Sequence, residues 1–232
     1  MRNVVYTRPP RASSEAAAEL GAFGTATVHE AQHRAGYLGA SIRPAWPGAR
    51  VGGTAVTALC WPGDNTMIHV AVEQCQAGDI LVVATTSPCQ DGLFGELFAT
   101  ALQHRGVIGA VLSCGVRDVA ELHAMRFPVW SQYVSAQGTV KQTLGSVNAP
   151  VTVGGVLINP GDVLVADDDG AVCVPRDQVE DTRTSSRARE KKEAQTRARL
   201  RTGEVGLDIY GMRTRLTELG LEYCSHPESV DP

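Results

Sequence analysis

Between residues 78 and 125 the chain alternates short, unbroken apolar runs with stretches of helical length, and few folds accept that pattern. Gly78-Asp79-Ile80-Leu81-Val82-Val83-Ala84 is one such run, and Val107 to Leu112 is another. Apolar runs of this length belong to strands covered on both faces. Gly95 to Arg105 reads as a helix between them, and Asp118 to Met125 as a second helix after the loop Cys114-Gly115-Val116-Arg117-Asp118. Strand, helix and strand in this order require crossover connections, so the fold is α/β with an at least partly parallel sheet.

The flanks fill in around this unit. Residues 12 to 22 predict a helix opened by a serine cap, and Thr25 to His33 a short second one. Gly52 to Cys60 is rich in β-formers, and the turn Pro62-Gly63-Asp64-Asn65 leads into a helix from Met67 to Gln76. From Pro128 the character changes to short β-like runs separated by Gly, Pro and Asp, which predicts an antiparallel β layer. Asp167-Asp168-Asp169-Gly170 has the acids of a calcium loop but not their alternation, and reads as a hairpin turn. Arg176 to Arg201 is a charged helix with a thin apolar stripe, supported by pairs such as Arg189 with Glu193 and stopped at Gly203. So polar a helix buries little against its own domain and can reach a neighbouring subunit. The expected organisation is one domain over residues 1 to 175 and a C-terminal helix and tail over 176 to 232, frayed beyond Gly211.

Composition removes several classes of function. A net charge of -4 and 5% aromatic residues leave neither a basic face nor stacking platforms for nucleic acid. Six cysteines without a CxxC, mostly inside apolar runs, suit buried thiols in a reducing compartment. With no apolar leader at the start and no run long enough to span a bilayer, the expectation is a cytoplasmic protein off the membrane. His29-Glu30-Ala31-Gln32-His33 matches the HExxH zinc-protease pattern, but neither a downstream His nor an acid between Glu30 and Asp64 supplies the third ligand, so it reads as an ordinary amphipathic helix. No phosphate-binding loop, dinucleotide fingerprint or serine elbow is present.

The chemistry concentrates around Gly95-Glu96-Leu97-Phe98 and Arg117-Asp118. Taken singly, Asp118 with Glu121 is a capping box, Glu96 a favourable first-turn acid and Arg117 a surface arginine. Crossover topology, however, brings the start of the first helix and the end of the following strand to one sheet edge, where two carboxylates and a guanidinium converge. Such a site suits Mg²⁺ or Mn²⁺, which take oxygen ligands and need only one or two protein carboxylates. Free amides of Leu97 and Phe98 can hold a carboxylate, and Arg117 a neighbouring oxygen. An α-keto acid fits these parts, and the arrangement stabilises an enolate.

The same segments, with Gln137-Gly138-Thr139-Val140-Lys141, Gly145-Ser146-Val147-Asn148, Pro160-Gly161-Asp162-Val163, Ala166 to Gly170 and Gly206 to Gly211, resemble the RraA-like superfamily. Within it they are most similar to the metal-dependent 4-hydroxy-4-methyl-2-oxoglutarate/4-carboxy-4-hydroxy-2-oxoadipate aldolases. The likeness runs from about Gly24 to Gly211. It implies a layered α/β/β sandwich with a C-terminal helical arm, and a class II pyruvate aldolase with oxaloacetate decarboxylation as a side activity. It further implies Asp118 as metal ligand, Glu96 as a metal-side acid reached through water, Arg117 on the pyruvyl oxygen, and the amides following Gly95, those of Leu97 and Phe98, on the pyruvyl carboxylate. Homotrimers or homohexamers with the site between subunits are implied too, a partner acid, Glu193 or alternatively Glu190, facing metal-bound water. Contacts to the distal carboxylate fall to Asn65, Lys141 or Tyr210 of the partner subunit. The chain departs from the family where an acid gives way to Ser113 in Val111-Leu112-Ser113-Cys114-Gly115. A non-catalytic ribonuclease regulator and a dedicated oxaloacetate-type decarboxylase are the alternatives on this scaffold.

Overall fold

The computed structural model describes residues 3 to 226. In chain order they form β1 (Val4–Val5), α1 (Ser14–Phe23), α2 (Thr25–Ala31), β2 (Arg43–Pro44), β3 (Val51–Cys60), α3 (Thr66–Gln74), β4 (Asp79–Thr85), β5 (Gly92–Phe94), α4 (Glu96–His104), β6 (Gly109–Val116), α5 (Val119–Ala124) and β7 (Val129–Val134). There follow β8 (Ser146–Val147), β9 (Val151–Val153), β10 (Val156–Ile158), β11 (Val163–Asp167) and β12 (Gly170–Val174). A 3-10 turn over Arg176–Gln178 then leads into α6 (Val179–Arg201), α7 (Gly206–Ile209) and α8 (Arg213–Glu218).

The expected crossover units are present. β3, β4, β6 and β7 lie side by side and parallel, with α3, α4 and α5 as their connections. Because strand side chains alternate between faces, β4 sends Leu81 and Val83 into one core and Ile80, Val82 and Ala84 into another. Leu81 and Val83 belong to the core that also takes Met67, Ile68 and Ala71 of α3 and Phe98, Ala99 and Leu102 of α4. The opposite core brings in Val151 and Val153 of β9, Ile158 of β10 and the fully buried Trp130 of β7. Fully burying an aliphatic side chain yields about 1.5–3 kcal/mol, so the two faces of β4 carry a large share of the hydrophobic stabilisation. Helices, sheet and an overlying hairpin make the layers of an α/β fold.

The antiparallel layer expected after Pro128 is distributed differently. β7 extends the parallel sheet, while β8, β11 and β12 join that same sheet on the far side of β3. β3 is long enough to divide this edge between two partners, pairing through Val51 to Thr54 with β11 and through Ala58 and Leu59 with β8, both antiparallel. Only β9 and β10 form a separate two-stranded sheet. These pairings join segments a hundred residues apart, which local sequence pattern does not encode. Asp168 and Asp169 form the two-residue turn of the β11–β12 hairpin, as expected.

α1 begins at the predicted serine cap, with Ser13 Oγ accepting from the Ala16 amide. It lies so close to β3 that a Cβ on Gly21 would stand 2.5 Å from the Gly52 nitrogen, and one on Gly52 would stand 2.2 Å from the Ala17 carbonyl oxygen. Two glycines facing each other permit that approach. Ala16, Ala17 and Leu20 then pack with Val163 and Val165 of β11 in a third cluster.

The chain divides into two compact units at Arg187/Ala188, inside α6. None of the described residues from Ala188 onward is buried. This second unit is laced by ion pairs, Arg189 with Glu193 at 2.8 Å, Arg199 with Glu204 at 2.5 Å and Arg213 with Asp208 at 2.5 Å. Its residues up to His226 are described, so the rest of the predicted frayed tail lies outside the described residues. Among the described residues, no helix is long and apolar enough to cross a membrane.

Candidate functional site

β6 runs further than its sequence suggests. Cys114-Gly115-Val116 reads as the start of a loop, yet Cys114 and Val116 are fully buried and the strand ends only at Val116. Along its first half β6 pairs with β4, from Gly109 to Leu112, and along its last residues with β5, where Gly92 meets Gly115 and Phe94 meets Val116. Opposite β7 the register slips between Leu112 and Gly115. Ser113 sits at this change of partner, and its Oγ accepts a 3.2 Å hydrogen bond from the Thr85 amide at the end of β4. Ser113 therefore closes a gap in the ladder at the change of partner. β5, at three residues, is too short to give a periodic signal in the sequence.

The effect of the β5–β6 pairing is to place the start of α4 beside the end of β6. Asp118 follows directly, with a left-handed backbone at φ 58° and ψ 40°. Such a conformation costs a non-glycine residue about 1 kcal/mol or more, and Asp is among the residues that tolerate it. The capping box expected of Asp118 and Glu121 does not form, because this backbone turns the carboxylate away from the amides of its own helix. Instead Asp118 Oδ2 accepts a 3.0 Å hydrogen bond from the Glu96 amide, capping α4. Arg117 Nε lies 3.6 Å from the same oxygen. Gly95 is the point of closest approach: a Cβ there would sit 2.3 Å from Asp118 Oδ2 and 3.0 Å from Arg117 Cγ.

The predicted residues are thus brought together unequally. Arg117, Asp118, Gly95, Leu97 and Phe98 line one cavity of about 180 Å³, and Asn65 and Lys141 line it as well. Among the described residues the Leu97 and Phe98 amides have no hydrogen-bond partner, as the first turn of a helix leaves them, and Leu97 is 76% exposed. Glu96 shares the helix start but does not line the cavity; its Oε1 accepts a 2.7 Å hydrogen bond from Thr100 Oγ1. Glu193 and Glu190 lie on the second unit's part of α6, where Tyr210 is 61% exposed on the segment after α7.

Asn65 and Lys141 owe their position to Asp64. This buried carboxylate accepts from the amide and hydroxyl of Thr66 at the start of α3, and from the amides of Gln142 and Thr143, at 2.6–2.8 Å. Burial pushes its pKa up, but the four hydrogen bonds outweigh that and hold it at about 2. Backbone bonds from Val140 to Gly63 and from Asn65 to Val140 complete the clamp, leaving Lys141 held on both sides. Asn65 is 7% exposed; its Nδ2 donates to the Leu93 carbonyl, while its Oδ1 is buried without a partner among the described residues. An unpaired buried acceptor in a cavity wall is a place for a ligand donor. The turn Pro62 to Asn65 gave the sequence signal for this site, but not the clamp across to residues 140 to 143.

Sequence reasoning missed His69. It lies on α3 four residues after Asn65 and lines the same cavity, with its ring 4.5 Å from that of Phe98. Its spacing from Asn65 and Val72 on one helix face was the available signal.

The donor chemistry bears on a metal. Among the described residues no group of three His, Cys, Asp or Glu side chains is gathered tightly enough to hold an ion. Mg²⁺ and Mn²⁺ do not require one, since they keep several waters. Asp118 Oδ1, with no partner among the described residues, is a carboxylate oxygen of the kind such a cation takes, while the Glu96 carboxylate at the start of α4 is engaged by Thr100. The HExxH stretch does not fit zinc: α2 ends at Ala31, and His33 has a left-handed backbone at φ 59°, so His29 and His33 are not on successive helical turns. Glu30 is paired with Arg34 at 3.0 Å, and His29 and Glu30 are half-buried rather than solvent-facing.

A family model described as RraA-like, Aldolase/RraA, matches residues 25–173. A Halalkalibacterium halodurans protein provisionally named 4-hydroxy-4-methyl-2-oxoglutarate aldolase is 28% identical over 182 residues, 78% of this chain and 84% of that one. A Burkholderia multivorans protein of the same provisional name is 33% identical over 148 residues, 62% of this chain and 90% of that one. Among solved structures, Streptomyces coelicolor RraAS2, described as an unusual member of the RNase ES inhibitor RraA protein family, superposes with a TM-score of 0.73 at 29% identity, covering 82% of this chain and 100% of that one.

Proposed function

The chain belongs to the RraA-like family, and from that premise we propose that it is a divalent-metal-dependent carbon–carbon lyase, a class II pyruvate aldolase. Its substrates are 4-hydroxy-2-oxo acids such as 4-hydroxy-4-methyl-2-oxoglutarate and 4-carboxy-4-hydroxy-2-oxoadipate, and its products are pyruvate and a second keto acid. Oxaloacetate decarboxylation is a side reaction. The observation that carries this reading is the convergence of Arg117, Asp118 and the free amides of Leu97 and Phe98 on one cavity.

The substrate's C1 carboxylate is held by the amides of Leu97 and Phe98, where the α4 dipole adds to the two donors. Arg117 donates to the C2 keto oxygen, and Asn65 and Lys141 hold the far carboxylate. Asp118 with Glu96 and, in a homotrimer or homohexamer, the partner subunit's Glu193 or alternatively the partner subunit's Glu190 would hold Mg²⁺ or Mn²⁺, which would supply positive charge against the developing enolate. The C4 hydroxyl proton passes to water in the open cavity, which turns that hydroxyl into the second product's carbonyl and can return a proton to C3 later. The C3–C4 bond breaks, and its electron pair moves into the C2–C3 enolate. Negative charge growing on the C2 oxygen strengthens the Arg117 hydrogen bond, so that contact favours the transition state over the bound substrate. Protonation at C3 then gives pyruvate.

The test is pyruvate release from 4-carboxy-4-hydroxy-2-oxoadipate with Mg²⁺, for the wild type and Asp118→Ala. Metal-dependent release lost in the variant supports the aldolase. No release, or a variant equal to wild type, sinks it. A faster turnover of oxaloacetate than of either hydroxy acid would instead make the chain a dedicated decarboxylase. The similarity along the whole length of the Streptomyces RraA structure favours a second reading, a ribonuclease regulator. Specific, metal-independent inhibition of an RNase E-type nuclease by this protein would put that reading first.

A further inference from the structure

The scheme above leaves His69 unused. It extends from the α3 face that also carries Asn65 and Val72 to the cavity wall. Its ring is braced against Phe98, and neither ring nitrogen has a hydrogen-bond partner among the described residues. Desolvation first, and then the ammonium of Lys141, hold its pKa below the ordinary histidine value, which favours the neutral imidazole. The other charged groups around it are Arg117 and Asp118 in the cavity wall, Glu96 at the start of the helix bearing Phe98, Asp64 under the Lys141 segment, and Glu73 one turn further along α3.

We propose that His69 joins Asn65 and Lys141 in clamping the far carboxylate of the substrate, which makes His69 the residue that selects dianionic 2-oxo acids over pyruvate-sized ones. This rests on the keto-acid reading of the site. Lys141 supplies fixed charge, held in place by Asp64, and His69 supplies a directional N–H on a braced ring. A carboxylate arriving between them offsets the Lys141 charge that disfavours the imidazolium. His69 then takes a proton from solvent as the dianion binds, and pyruvate, lacking the second carboxylate, draws none.

2-Oxoglutarate, which lacks the 4-hydroxyl and cannot undergo aldol cleavage, is the probe, with pyruvate as reference. Both are titrated calorimetrically into the Mg²⁺-loaded protein near pH 7, in two buffers of different ionisation heat. The expected result is proton uptake with 2-oxoglutarate and none with pyruvate. His69→Leu should weaken 2-oxoglutarate about ten-fold, the scale of one hydrogen bond to a charged group, abolish the uptake and leave pyruvate affinity unchanged. His69→Gln, which keeps a donor but does not titrate, should recover affinity without recovering uptake. Equal weakening of both ligands, uptake that persists in His69→Leu, or no 2-oxoglutarate binding by the wild type would overturn the proposal. A protein that shows the binding pattern but releases no pyruvate from hydroxy acids fails the aldolase reading alone, and an active aldolase indifferent to His69→Leu fails this inference alone.

Discussion

Gly95→Ala is a one-methyl perturbation aimed at the joint between α4 and Asp118. Gly95 has extended backbone angles of -159° and -167°, which alanine adopts freely, so the cost arises from contact rather than backbone strain. The new Cβ would stand 2.3 Å from Asp118 Oδ2, and relief to an ordinary contact near 3.4 Å requires a movement of about 1 Å. That movement breaks the 3.0 Å hydrogen bond to the Glu96 amide and pushes on Arg117 from the same side. With the Asp118 side chain 37% exposed, water recovers part of the lost bond, and the stability cost is about 1–2 kcal/mol. In a chain of this size that lowers Tm by about 2–8 °C. The catalytic cost is larger, since a misplacement of about 1 Å at a reacting centre is worth roughly 10²-fold. Pyruvate release should therefore fall about a hundred-fold in kcat/KM, with a modest change in Tm by calorimetry. Gly138→Ala, where an added Cβ meets nothing within 4 Å, should leave both unchanged. Gly95→Ala retaining activity within about three-fold of wild type, at unchanged Tm, would refute the claim that Asp118 is held in register by this contact.

Asp64→Asn leaves two of the four donors around that side chain facing an amide NH₂ or nothing, and should destabilise the fold by about 2–4 kcal/mol in denaturant titration. Because the folded pKa of Asp64 is depressed to about 2, its contribution is fully present above the ordinary aspartate range and is lost as pH falls through about 4 toward 2; unfolding measured across that window should be less steep in the variant. Ser113→Ala removes the acceptor for the Thr85 amide and should cost about 1 kcal/mol in stability, while Mg²⁺ dependence stays as in the wild type. In a thiol-titration experiment only Cys224 should react rapidly in the native protein, because Cys60, Cys75, Cys89, Cys114 and Cys173 are buried and burial pushes the Cys60 and Cys75 pKa values up to about 12. Unfolding in denaturant should release all six.

The parts of this structure visible in the sequence are those whose cause is local. The apolar run over Ile80 to Ala84 announces a strand buried on both faces, and Ser13 announces the helix that follows it. Arg117 and Asp118 could be singled out because crossover topology returns a strand end to the helix start that precedes it. What sequence order conceals is pairing at a distance. In sequence β6 reads as ending at Leu112 because Cys114-Gly115-Val116 looks like a loop until β5 and β7 are there to pair with it. Asp118 looked like the cap of its own helix, and only its left-handed backbone shows that it caps α4. The Asp64 clamp joins residues nearly eighty positions apart, and His69 becomes noticeable only when Phe98 and Lys141 stand beside it.

β3 has a consequence for how the gene can be cut. Its edge away from β4 is covered only by segments from the last third of the domain, β11 against Val51 to Thr54 and β8 against Ala58 and Leu59. A fragment stopping near residue 135 would keep every crossover unit yet expose along that edge a ten-residue strand whose side chains are almost all buried in the intact chain. Unsatisfied amides and carbonyls along an apolar edge recruit other strands. Such a fragment should assemble into insoluble aggregates, and soluble truncations should begin only downstream of β12.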